Sequence, residues 1–465
     1  MNAQDGEQFP SLPPGPAPVR PYNIPGLLWF LWESRDIAKL VHRRFERYGD
    51  LYTAQIANSR IFVVRRPEHV RQVLQTQGSK FGKPTTGLSA RLLRRFLGEG
   101  LLNSNGAFWR RQRRLINPAF LRTAVHAYAP DMVTATQEAI ARWTPGSTVE
   151  ISEAMMALTL RIVGKALFDH DVRDETDVIA RATDAFRSTF SSPARALLPT
   201  WAPLPSQIKV RRAHQAMDTF MFGLIDERAA RIEDAPPKPG ADLMSLLVHM
   251  AASGDPEQTM SRQQLRDELV TLMLAGHETT SHAVTWTLYL LGEHPDIDAQ
   301  VHRELREVLG GKAVTAADLE HLTLLNRVFQ ESMRLFPPVY VVARMAQEPA
   351  EIGGYPIPVG AEVIVWIYWT HRDPRWWPEP LAFRPDRFSP EHAPHIPKGA
   401  YVPFAAGTRS CIGKHFAIME AQLILATILQ TYRLHKVPGH PVVPRREVTM
   451  SPRHGMPMIV TPRSR

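Results

Sequence analysis

The sequence predicts a mainly α-helical protein with a small β-sheet subdomain, and three observations carry that prediction. Long windows free of Pro and Gly hold apolar residues at helical spacing. Alternating apolar segments bounded by turn residues are few and short. The only cysteine of 465 residues, Cys411, stands in a Gly-punctuated loop directly ahead of a helical segment.

Taken in order, the chain opens with a Pro-rich arm over residues 1–30, extended rather than part of a core. Residues 31–465 are expected to form a single domain. Ile37, Leu40, Val41 and Phe45 mark one face of a short amphipathic helix over 36–48. Leu51 to Ile56 and Arg60 to Val64 flank Ala57-Asn58-Ser59 and predict a β-hairpin. Residues 81–105 are Gly-rich, with Arg91, Arg94 and Arg95 between leucines, and predict a solvated helix face. A further helix opens at Trp109, where Trp109 and Arg113 share a face at i, i+4, so that an indole N–H and a guanidinium reach one carboxylate. From 124 to 249 helices are broken at Pro145-Gly146, at 191–205 and at 236–240, the second break being an apolar, Pro-rich connector from Ala196 to Pro205.

Ser261-Arg-Gln-Gln264 has the pattern of a capping box and starts a Pro-free segment that lasts to His294. Within it stands Ala275-Gly-His-Glu-Thr-Thr280. A zinc-protease motif would need histidine at 281, where the chain has Ser281, and His282 lies one residue too far round the helix. Thr279 is placed to bond back to the Ala275 carbonyl and bend the helix. Two more helices span 296–309 and 322–335, the second stopped by Pro337-Pro338. Strands follow over 351–369, and residues 414–432 form the helix that begins just past Cys411. A thiol ahead of a helix N-terminus is favoured as thiolate, and a thiolate with no partner cysteine invites a metal.

Composition bounds the function. With 44% apolar and 22% charged residues the chain is globular. One cysteine excludes an intramolecular disulfide and points to a reducing, cytoplasmic compartment. Neither a signal peptide nor a spanning helix of ~20 apolar residues is visible near the N-terminus, so a soluble protein with no integral membrane anchor is expected; a monomer is expected as well. The net charge of +9 comes largely from arginines scattered along helices, without an aromatic-interleaved platform. Nucleic acid is thereby disfavoured, and an acidic protein partner fits.

The stretch Phe404-x-x-Gly407-x-Arg409-x-Cys411-x-Gly413 resembles the heme-binding signature of the cytochrome P-450 heme-thiolate monooxygenases at all five positions. The resemblance spans roughly Tyr48 to the C-terminus. It implies the cytochrome P-450 fold, with heme b (iron protoporphyrin IX) between the long central helix and the cysteine loop with its helix. It makes Cys411 the iron ligand, places Phe404, Gly407, Gly413 and Gly276 at the cofactor, and directs Trp109, Arg113, Arg344 and Arg409 to its propionates. Gly276 would leave room for dioxygen, while Thr279 and Glu278 would guide protons to it. Ala275 stands where a glutamate esterifies heme in one branch, so no covalent link is implied. Glu331-x-x-Arg334 resembles the family's Glu-x-x-Arg helix, and Arg387, in Phe-Arg-Pro-Asp-Arg-Phe, would join it in a buried charged network; an Asp stands there in place of the family's Glu.

The implied activity is insertion of one atom of O2 into a lipophilic substrate by hydroxylation or epoxidation. No flavin or nicotinamide signature is present, so electrons are expected from a ferredoxin or flavodoxin type donor with its reductase. Arg110, Arg111 and Arg114 are candidates for docking it. The alternatives are a heme-thiolate peroxygenase or isomerase, and a heme-based sensor or carrier without turnover.

Overall fold

The structure, a computed structural model of the chain, describes residues 12–18, 36–56, 59–170, 176–190, 204–231, 242–252 and 259–463. The hairpin turn at Ala57 and Asn58, the connector up to residue 203, the break at 236–240 and most of the N-terminal arm lie outside the described residues. The chain falls into two compact units. The first takes the described residues up to Gly87, with Val341–Leu381 and Pro394–Cys411; the second takes Leu88–Tyr340, Ala382–Ala393 and the chain from Ile412 onward.

The first unit is built on a five-stranded sheet. Helix α1 (Ile37–Tyr48) is capped by Asp36, whose carboxylate accepts from the Lys39 N–H, and it buries Leu40, Val41 and Phe45 as its periodicity requires. Strands β1 (Leu51–Ile56) and β2 (Ser59–Val64) form the expected hairpin. With β3 (Phe81–Gly82), β4 (Val342–Ala346) and β5 (Glu362–Val365) they order as β1-β2-β5-β4-β3, and only the β2–β5 pairing is parallel. Phe62, Val64, Val363 and Val365 point into one core with Val70, Val73, Leu74 and Val402. Residues 12–18 of the arm lie along β1: Thr53 donates its N–H to Pro14 O and its hydroxyl to Pro13 O, both at 2.9 Å. Pro13 is buried, so this part of the arm is covered rather than free.

The second unit is helical. It contains α2 (Leu88–Leu97), α3 (Gly106–Ile116), α4 (Ile151–Phe168), α5 (Thr176–Phe190), α6 (Arg262–Glu293), α7 (Thr323–Leu335) and α8 (Lys414–Thr431) among its longer elements. Its small sheet orders Thr148–Glu150, Pro457–Pro462 and Tyr432–Lys436. Helix α6 organises the unit. Ser261 Oγ accepts from the Gln264 N–H and Gln264 Oε1 accepts from the Ser261 N–H, so the capping box forms as the sequence requires. At 1.5 Å per residue its 32 residues run about 48 Å. It is buried on most sides against α4, α7 and α8, and its Trp286 stacks on Phe336 with ring centroids 4.1 Å apart.

Candidate active site

The cysteine loop belongs to the first unit up to Cys411. A 3-10 turn over Gly407–Arg409 reverses the chain, and the Cys411 N–H donates to Phe404 O at 3.0 Å. Gly407 has φ +72°, and a Cβ there would lie 1.9 Å from Leu74 O, so only glycine lets the loop seat on its neighbour. The Cys411 thiol is left exposed. Gly413, across the unit boundary, is the N-cap of α8; a Cβ there would meet nothing closer than the Phe120 ring at 3.8 Å.

Arg344 and Arg409 share the first unit with a cation that sequence reasoning passed over, Lys83. Arg344 is 3% exposed and donates to Ala343 O, and burial together with Arg409 pushes its guanidinium down to about 10. Burial, then Arg344 and Arg409, push the Lys83 ammonium well below its ordinary value. Arg344 is buried and Lys83 and Arg409 are half-buried beside it; cations gathered in this way disfavour one another, and an anion bound among them relieves that cost. A thiol on the loop and a set of cations suited to carboxylates are the donors a heme with its propionates requires, so the residues present fit that group. No local pattern marks Lys83; only the tertiary fold gathers it.

In the second unit, α6 is open along one narrow face. Ala275 is exposed and Gly276 and Thr279 are half-exposed, whereas His277, Glu278 and Thr280 are buried. Residues 275, 276 and 279 lie on one side of the helix at i, i+1 and i+4. Thr279 Oγ1 donates to Ala275 O at 2.7 Å, the back-bond its position predicts. A Cβ on Gly276 would come 3.2 Å from Val163 Cγ2 of α4, which gives this glycine a packing reason besides any room it leaves for a ligand.

Glu278 points the other way, into protein. Thr449 Oγ1 donates to its Oε1 at 2.8 Å, and His282 Nε2 and Arg187 Nε of α5 lie 3.6 and 3.7 Å from the same oxygen. Burial pushes this carboxyl up, but His282, Thr449 and Arg187 outweigh it and hold it at about 2. Glu278 is therefore a carboxylate at neutral pH. His282 was legible at i, i+4 from Glu278, whereas Arg187 and Thr449 carry no local signal. Two further buried acids, Glu268 on α6 and Glu420 on α8, behave oppositely: burial pushes both up to about 8, although Glu268 accepts from the Leu101 N–H and Glu420 interacts with Thr280.

The remaining site residues also fall in the second unit. Arg113 of α3 lies with its Cζ 5.7 Å from the centroid of the Trp109 ring, on the face their spacing predicts. Arg110 and Arg114 are exposed, and Arg111 donates to Thr259 O. Glu331, Arg334 and Arg387 come together: Arg334 clasps Glu331 through Nε at 2.7 Å and Nη2 at 2.8 Å, and Arg387 Nε reaches Glu331 Oε1 at 3.2 Å. The Arg384 N–H adds a bond of 2.9 Å to that oxygen. The shorter Asp386 turns outward toward His392 at 3.0 Å and takes no part.

The cytochrome P-450 family model matches residues 14–458. The chain belongs to the cytochrome P-450 family. Cyclooctatin synthase of Streptomyces melanosporofaciens is 34% identical over 407 residues, 87% of each chain. Cyclooctat-9-en-7-ol 5-monooxygenase of the same organism is 32% identical over 404 residues, 84% of each. The crystal structure of the cytochrome P450DA heme domain aligns with a TM-score of 0.79 and 27% identity, covering 94% of this chain and 93% of that one. The fold is thus the mainly α cytochrome P-450 fold, the cofactor is heme and the protein is a cytochrome P-450 monooxygenase. Among the described residues, no helix is long and apolar enough to cross a membrane.

Proposed function

We propose that the chain binds heme b through the Cys411 thiolate and inserts one atom of O2 into a lipophilic substrate, by hydroxylation or epoxidation. Electrons come from a separate ferredoxin or flavodoxin type donor with its reductase. The observation that carries this reading is the pairing, on α6, of an open face holding the Thr279 hydroxyl with a buried carboxylate at Glu278 immediately before it. Heme ligated by a thiolate supplies the activation of O2 and the transfer of its oxygen atom. The chain's own residues hold the group and move protons. Arg344, Arg409 and Arg113, with Lys83, would neutralise the propionates, and the Trp109 indole N–H would donate a hydrogen bond to one of them. Thr279, its hydroxyl hydrogen committed to Ala275 O, presents its lone pairs on the open face, where they accept a bond and orient water. Glu278 exchanges protons behind it. The exposed Arg110 and Arg114 supply charge for an acidic electron donor. Two relatives named for cyclooctatin and cyclooctat-9-en-7-ol make apolar cyclic compounds the first to screen, by the spectral shift on binding.

The reduced, carbon-monoxide-bound spectrum tests ligation: the strongly red-shifted Soret band of a heme thiolate is expected, and its absence would overturn the assignment. Thr279→Ala should raise hydrogen peroxide released per NADPH consumed severalfold while oxygen uptake continues, and Thr279→Ser should restore most of the coupling. Unchanged coupling would remove Thr279 from the path. Arg344→Leu should speed transfer of heme to apomyoglobin by roughly 10–100-fold, the loss of one charge-assisted bond. An unchanged transfer rate would show that Arg344 does not hold the propionates.

A further inference from the structure

The C-terminal end of α2 and the connector that follows it are held by one short stretch of α6. A helix end leaves its last carbonyls without partners inside the helix. Here Arg266 Nη1 donates to Phe96 O at 3.2 Å and Thr271 Oγ1 donates to Leu97 O at 3.4 Å. The N–H groups just beyond meet two acids: Glu99 N–H donates to Asp267 Oδ2 and Leu101 N–H to Glu268 Oε2, both at 2.9 Å. Two glycines permit this approach. Gly98 has φ +59°, and a Cβ there would stand 2.1 Å from the Asp267 carboxyl; one on Gly100 would stand 2.5 Å from Thr271 Oγ1. Asn103 ties the connector to itself, its Nδ2 donating to Gly98 O at 3.0 Å. Thr271, Ala275 and Thr279 follow one another at i, i+4 along one side of α6. Thr271 is buried and Ala275 is exposed, so this stripe passes from covered to open within one turn, and the connector borders the open face.

Glu268 is the weak point of the attachment. It is 0% exposed, Oε2 takes the Leu101 N–H, and among the described residues Oε1 has no hydrogen-bond partner. The charges around it repel it or are engaged elsewhere. Asp267, its neighbour on α6, acts on it as a like charge. Arg266 pairs with Asp218 at 2.6 Å and Asp267 at 3.0 Å, and Asp218 also holds His214 at 3.1 Å, both from the helix Pro205–Ala229. On the α2 side, Arg94 pairs with Glu99 at 3.1 Å. A carboxylate with one hydrogen bond and no cation is costly to bury, so the neutral acid is the form that fits.

We propose that Asp267 and Glu268 are positioning residues that latch the connector beside the open face of α6, and that loss of the Glu268 proton loosens the latch. Its bearing on the reaction rests on the proposed function, in which substrate is oxidised at that face. The proton passes to water and no other covalent bond changes. Burial lifts this acid from its ordinary 4.5 to about 8, whereas a lifted connector returns it to water and to the ordinary value. The closed form thus binds the proton more tightly than the open one. Closure is strongest below about pH 4.5, weakens by up to about tenfold per unit as pH rises to about 8, and is level above that.

Amide hydrogen exchange of the ferric, substrate-free holoenzyme, corrected for intrinsic rates, tests the latch in peptides covering 98–103 between pH 6 and 9. Native protection should fall about tenfold per pH unit up to about pH 8 and then hold. Glu268→Gln keeps an acceptor for the Leu101 N–H and cannot ionise, so its protection should stay high and flat. Gly98→Ala forces the connector off Asp267 and should exchange fast at every pH, which keeps the test open should the glutamine variant not fold. Native protection without this pH dependence, the same dependence in Glu268→Gln, or native-like exchange in Gly98→Ala would overturn the latch. Stopped-flow binding of tert-butyl isocyanide to the ferrous protein, a neutral apolar probe read at the Soret band, tests the bearing on the open face. Its association rate should rise with pH in the native enzyme and stay constant in Glu268→Gln. Rates independent of pH in both, beside the expected exchange, would overturn the role at that face. Failure of the proposed function shows instead in the carbon-monoxide spectrum and leaves the exchange result standing.

Discussion

Cys411→Ser should abolish the red-shifted Soret band of the reduced, carbon-monoxide-bound protein and reduce turnover to background, while leaving the chain folded. The reason lies in one atom. A serine hydroxyl in the same loop ionises far less readily than a thiol, so the strong anionic donor to iron is lost. The loop itself does not depend on the side chain, because the Cys411 N–H still reaches Phe404 O and Gly407 still seats on Leu74. A variant that holds heme less tightly loses the stabilisation the bound group gives the folded state, so the comparison of fold is made on the heme-free forms of both proteins. Circular dichroism and the thermal midpoint should therefore stay near native, separating loss of ligation from loss of fold. Survival of the band in the serine variant would place the ligand elsewhere.

Glu331→Ala should be the most damaging single change to the fold. Arg334 is 0% exposed, and both its Nε and Nη2 end on Glu331. Removing the carboxylate strands that guanidinium out of water, withdraws the partner of Arg387, and leaves the Arg384 N–H without its acceptor. Breaking a buried pair from one side costs about 3–5 kcal/mol. Total stabilities are only about 5–15 kcal/mol, so soluble yield and heme incorporation should fall steeply and the urea midpoint should drop in whatever protein is recovered. Glu68→Ala is the matched control. Glu68 and Arg71 repeat the same i, i+3 spacing in sequence, yet Glu68 pairs with Arg66 at 3.0 Å with both side chains more than half exposed. Its loss should move the midpoint very little. Equal effects from the two substitutions would overturn the distinction.

These two pairs show how much of the molecule was legible beforehand. Helix α6 could be placed to the residue, because a capping box and a Pro-free run are local chemistry. The hairpin, α1 and α8 followed from periodicity in the same way. The fate of Glu331 and of Glu68 could not be told from spacing, since burial is decided by segments that return from far along the chain, as Arg384 and Arg387 do. Family resemblance separated them where local pattern could not. Residues recruited from a distance escaped both routes: Lys83 to Arg344 and Arg409, Arg187 and Thr449 to Glu278.

The parallel pairing in the first unit's sheet sets a schedule for synthesis. Ile61 of β2 pairs with Glu362 of β5, about 300 residues later. At roughly 5–20 residues per second a ribosome delivers β5 some 15–60 s after β2 has emerged. Through that interval the hairpin has one apolar edge ready and no strand to fill it, a bare template for another nascent chain. Slow assembly, more than weak final stability, is thus the point at which expression of this protein is exposed to aggregation, and cooler growth or chaperone supply acts on that waiting time.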